Sequence, residues 1–146
     1  MRIDWRRAII SGIAGTVAFD ISGLILAGML WPEPHLLAEK LGLPLAAGVM
    51  GHYANGMLLA VLYAGLAPSL IGPSWFRSIT FFTAETVFGI WLFMLPLVGL
   101  GPLGLQMGVA FPIIVLVRHW ILALVVGFVN PVRDAEMRTQ PRMAAA

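Results

Sequence analysis

Cysteine is absent from this chain of 146 residues. Its absence excludes disulfides, iron–sulfur clusters and thiolate zinc sites. Charge is also scarce. Asp, Glu, Lys and Arg make up 11% of the residues against 60% apolar ones, and mean hydropathy is +0.91. A soluble domain carries about a quarter charged residues, so there is too little polar surface here to coat a water-soluble globule. The composition points to an integral membrane protein, built as a single domain over 1–146. No nucleotide-binding loop, catalytic triad, zinc motif or haem-attachment motif occurs. The net charge of +2 comes from arginines that flank apolar runs, an arrangement that argues against nucleic acid as a partner.

Long apolar runs are what the chain does have. A bilayer-spanning helix needs roughly 20 of them in succession, and four stretches qualify, at 8–31, 45–67, 78–100 and 107–129. Short Pro- and Gly-rich connections join them, so the expected fold is all-α: a polytopic membrane protein with four transmembrane helices in a compact bundle. MRIDWRR precedes the first run, which is too long for a signal h-region and has no clean small-x-small cleavage site after it. It reads as an uncleaved first span. With both termini cytoplasmic, Arg2, Arg6, Arg7, Arg77, Arg133, Arg138 and Arg142 lie inside, only Lys40 lies outside, and residues 131–146 form a cytoplasmic tail. The positive-inside rule favours that orientation. Trp5, Trp31 and Trp75 fall at the expected interfaces, and Trp91 and Trp120 lie deeper, as packing residues.

The outer connection 31–44 is the one with content. Pro32 and Pro34 open it, HLLAEKL forms about two turns lying on the surface, and Gly42 ends them. His35, Glu33 and Glu39 form at most an external metal or partner site. Within the spans, small and weakly polar residues mark packed faces. Gly12, Thr16, Asp20, Gly23 and Ala27 form one stripe, Gly48, His52, Asn55, Leu59 and Tyr63 a second, and Ser78, Phe82, Glu85 and Gly89 a third.

Asp20, Glu85, Arg118 and His119 fall well inside spans, where Asp or Arg costs about 2.5–3.5 kcal/mol each. At a rise of about 1.5 Å per residue, Asp20 and Arg118 share a level roughly 16 Å from the outer end, with Glu85 about one turn further in and His52 about one turn further out. Arg118 is therefore expected to pair with Asp20, Glu85 or both through its forked donors. Its neighbour His119 points about 100° away and faces another element. The buried charge network of Asp20, Glu85, Arg118 and His119 then fixes helix packing, and His52, Asn55 and Tyr53 form an adjoining ligand or proton site. No E-x-x-H pair exists to hold a metal on one helix. Haem ligation by His52 and His119 is permitted, but their depths differ by roughly 8 Å.

The two hairpins are faintly alike. Each carries an acid in its first span (Asp20, Glu85) and a His–aromatic pair in its second (His52-Tyr53, His119-Trp120), which implies a repeat about an axis along the membrane normal. The run LAEKLGLPLAAGVMGHYANGMLLAVLYAGL, followed by GIWLFMLPLVGLG, resembles small bacterial four-helix inner-membrane proteins of uncharacterised function. In these a glycine-flanked His in the second span and a Gly- and Pro-punctuated third span recur. Over residues 8–130 the resemblance implies four spans in the bacterial inner membrane and carries over no activity. With almost nothing outside the bilayer, the favoured expectation is a non-catalytic helical-bundle subunit. Its partners would be lipid and either another membrane protein or further copies of itself. A small proton- or ion-coupled transporter and a haem- or quinone-binding electron-transfer subunit are the alternatives.

Overall fold

The computed structural model describes residues 3–132. Residues 133–146 of the expected tail, with Arg133, Arg138 and Arg142, and also Arg2, lie outside the described residues. Those described form helices and turns without strands. They run as α1 (Trp5–Ala27), α2 (Pro32–Leu41), α3 (Leu45–Leu66), α4 (Ser74–Glu85), a π-helical stretch (Thr86–Met94), α5 (Leu95–Leu97) and α6 (Phe111–Val129). Four units are long and apolar enough to cross a membrane: Trp5–Ala27, Leu45–Ser69, Ser74–Leu97 and Phe111–Val129.

The ends of these helices follow local chemistry. Asp4 caps α1 by accepting from the backbone N–H of Arg7 at 3.0 Å, satisfying a donor that the first turn leaves free. Gly28, at φ +67°, stops α1 short of the expected residue 31. Its left-handed backbone cannot continue the helix, and the chain turns there. The fourth span begins at Phe111 and not at 107, because Gly101, Gly104 and Gly108 all take positive φ in the preceding connection, as does Leu103. In the third span, Leu95 N–H bonds to the Ile90 carbonyl, five residues back. Pro96 would collide with the carbonyl four residues before it in an α-helix, and the wider winding gives its ring room.

The helices alternate in direction. Antiparallel neighbours meet through glycine: a Cβ on Gly12 of α1 would sit 2.7 Å from the Gly56 carbonyl oxygen and from Met57 Cα of α3. A Cβ on Gly15 would press on Leu122 and Val126 of α6, and one on Gly127 of α6 would press on Ser74, Trp75 and Ser78 of α4. Hydroxyls add cross-links to carbonyls: Ser74 Oγ donates to Gly127 O at 3.0 Å, Ser78 Oγ to Ala123 O, and Tyr63 OH to Ser74 O at 2.8 Å. Phe19, Tyr63, Phe82, Leu122 and Val126 form the apolar centre among the four long helices. The stripe expected on α1 is buried from Gly12 to Gly23, while Ala27 is exposed. On α3 the buried line runs Gly48, Gly56, Ala60, Tyr63 and Ala64, so Asn55 is exposed on another flank and Leu59 is only partly covered.

Gly12→Ala is expected to destabilise the fold by about 1–3 kcal/mol, since it overpacks backbone against backbone. Gly51→Ala, whose new methyl meets only Leu37 at 4.0 Å, is expected to be neutral. Reversible unfolding of both variants in detergent, followed by circular dichroism, checks the contrast.

Candidate functional site

The turn after α1 builds the site. Trp31 holds φ +59°, a left-handed conformation that is unfavourable for a bulky residue. Its indole Nε1 reaches back to donate to Asp20 Oδ2 at 2.9 Å. Two groups of α3 complete the shell of the same carboxylate: Tyr53 OH donates to Oδ2 and His52 Nε2 meets Oδ1, each at 2.9 Å. Asp20, only 3% exposed, is thus held by three side chains from two elements. Hydrogen bonds to an ionised acceptor are the stronger kind, and this set ties α1, α3 and the α1–α2 turn together.

α2 is an amphipathic helix, but it does more than lie on the outer surface. Gly48 of α3 admits the backbone of Pro34, and Ala38 packs beside it. The first turn of α2 therefore seats closely on α3 and delivers Glu33 to Arg118 of α6. Both guanidinium Nη atoms bond to the Glu33 carboxylate, with Nη2 to Oε2 at 3.1 Å. Arg118 also lies with Cζ 3.9 Å over the Phe19 ring, a cation–π contact. Gly23 makes room for it: a Cβ there would sit 2.6 Å from Nη2.

Arg118 is buried as the sequence requires, yet its partner is Glu33 and not Asp20 or Glu85. The donors of Trp31, His52 and Tyr53 already surround Asp20, while the guanidinium projects past Gly23 towards the reversed turn. Glu33 was placed in the outer connection by its sequence position. Nothing in the local pattern says that this connection packs back onto α3. His35 and Glu39 are exposed, and no group of three or more His, Asp or Glu residues placed to hold a metal occurs among the described residues.

His119 turns the other way, as adjacent positions on a helix must. Its Nδ1 bonds to the Val115 carbonyl at 2.7 Å, and its Nε2 faces Glu85 Oε2 at 3.6 Å. Next to it, Trp120 Nε1 donates to Thr83 Oγ1 at 2.9 Å. The acid–histidine contact seen between α1 and α3 therefore recurs between α4 and α6, matching the faint likeness of the two hairpins. Phe19 packs against both imidazoles, with ring centroids 5.6 Å from His52 and 4.9 Å from His119. The Asp20 carboxylate occupies Nε2 of His52. Asn55, grouped with His52 and Tyr53 by spacing, does not join them.

Comparison with protein families, with curated proteins and with solved structures found no match to this chain. The arrangement itself defines the class: an all-helical bundle with four helices of membrane-spanning length and an acid–base cluster buried between them.

Glu33→Gln is expected to destabilise the bundle more than Arg118→Met. The Glu33 side chain is 39% exposed and can turn to water, whereas the Arg118 side chain, at 3%, would be stranded. Stranding a buried charge costs about 3–5 kcal/mol. Combining the two changes is expected to recover most of the loss, as read by a double-mutant cycle of unfolding free energies in detergent.

Proposed function

We propose that this chain is a multi-pass protein of the bacterial inner membrane, with both termini cytoplasmic. In this reading it acts as a non-catalytic helical-bundle subunit that associates, through α3, with another membrane helix of a larger complex or of a second copy. The supporting observation is Asn55. It lies midway along the Leu45–Ser69 span and is exposed, on one flank with Gly51, Ala54, Leu58 and Leu62. In hydrocarbon a carboxamide without a partner is costly, and it gains about 0.6–2 kcal/mol by bonding across a helix pair. Gly51 and Ala54 allow the partner backbone to come close, which is how small residues promote packing in lipid. The charges inside the bundle serve the same purpose: they join helices in pairs and hold the subunit in one register.

The bilayer placement rests on the four apolar spans and on the arginine asymmetry. The lack of cysteine makes it easy to test. A membrane-impermeant maleimide added to intact spheroplasts is expected to label Leu41→Cys and to spare Ser69→Cys; the opposite pattern would invert the topology.

Native mass spectrometry in mild detergent tests association. Wild-type protein is expected to appear as a complex, and Asn55→Leu to shift the population to the isolated chain while keeping helicity. A wild-type protein found only as a lone chain sinks the subunit reading.

A further inference from the structure

The two acid–histidine contacts are alike in composition and differ in what surrounds them. Asp20 receives indole, phenol and imidazole donors. Glu85 receives none: its Oε2 is buried without a hydrogen-bond partner among the described residues. What faces that oxygen is His119 Nε2, at 3.6 Å. The state of Nε2 follows from the other ring nitrogen. A carbonyl only accepts, so the 2.7 Å contact to Val115 O makes Nδ1 the protonated nitrogen. A neutral His119 therefore turns the lone pair of Nε2 towards Glu85. With an ionised Glu85, two acceptors would face each other in a space that offers no donor, which is an expensive arrangement for buried polar atoms. A single proton resolves it, whether carried on the carboxyl and donated to Nε2 or carried on Nε2 and donated to the carboxylate.

We propose that Glu85 and His119 form a buried proton-binding site, in which one proton is held between Oε2 and Nε2. Holding the proton leaves the pair with no net charge, as a neutral acid and imidazole or as a carboxylate and imidazolium. Releasing it leaves a net charge of −1. The ionisable groups acting on His119 are Arg118, its neighbour on α6, and His52 of α3. Both are engaged elsewhere, Arg118 by Glu33 of α2 and His52 by Asp20 of α1. Phe19 of α1 closes one face of the imidazole. A cleft of about 350 Å³ between the end of α3 and α4, lined by Leu66, Ser69, Thr80, Phe81 and Ala84, borders Glu85.

The site is independent of the association reading, because it uses no residue of the exposed α3 flank. Two measurements on the full-length protein in lipid vesicles test it. Infrared difference spectra between acidic and alkaline buffer follow the carbonyl stretch of protonated carboxyls, and nitrogen NMR of histidine-labelled protein follows His119. One protonated-carboxyl band is expected to vanish completely in Glu85→Gln, and its pH midpoint to move in His119→Gln. In the wild type, His119 Nε2 is expected to change over the same pH interval as that band, while Nδ1 keeps its proton. Survival of every such band in Glu85→Gln, with no imidazolium Nε2 signal for His119 in the wild type, overturns the proposal, as does a midpoint of the band that His119→Gln leaves in place. If either variant fails to fold, the wild-type NMR still decides, since an Nε2 signal unresponsive across the band's pH interval overturns it.

Discussion

A guanidinium buried between apolar helices has to find an anion, and much of the architecture follows from how Arg118 finds one. A charge in such a place is costly unless it is paired and hydrogen-bonded. The anion comes from Glu33, outside the long helices in sequence. To deliver it, the chain reverses at Gly28 and holds Trp31 in a left-handed conformation, and the first turn of α2 settles on Gly48. The reversal also brings the Trp31 indole to Asp20, so one turn serves two charged centres. Gly23 and Phe19 complete the pocket, the first by lacking a side chain and the second by offering an aromatic face. An isolated ion pair would add little here; a segment seated on α3, a glycine and a ring assembled around it make a joint between α1, α2 and α6.

The bundle treats its two carboxylates differently. Asp20 is saturated with donors and acts as a structural node, since each of its bonds crosses between elements. Glu85 meets a single imidazole whose donor nitrogen is directed away from it. The same acid–histidine motif thus appears once as a closed hydrogen-bond shell and once as a pair that needs a proton to be complete. The difference comes from the connections. The first hairpin contributes Trp31 from a segment that folds back. The second has a glycine-rich connection, residues 98–110, which lies beyond the π-helical stretch and sends no donor to Glu85.

Residue levels along the helix axes were legible in advance, because they depend only on rise per residue and on where apolar runs begin. Arg118 does reach Phe19 and Gly23, which flank Asp20, but His52, expected one turn further out, meets Asp20 as well. Partner choice was less legible. Asp20 bonds to Trp31, His52 and Tyr53, while the long arginine stem crosses the Phe19 ring and carries its charge to Glu33. Asn55 shows the same limit on a single helix. Its spacing from His52 fits a shared face, yet α3 is rotated so that Gly56 and Ala60 take the inward line and the carboxamide faces outward.

What the amino-acid order determined by itself is the all-helical architecture, the four long spans, the stop at Gly42, and the need for buried charges to be neutralised. Those properties arise from composition, helix geometry and capping, and all of them act within a few residues. Only the tertiary structure decided that α2 packs onto α3 at Gly48, that Glu33 is the counter-ion of Arg118, and that Glu85 faces the bare nitrogen of His119. Each of these depends on how helices rotate about their axes to bring glycine against backbone. That packing is settled among residues tens of positions apart, where no local pattern reaches.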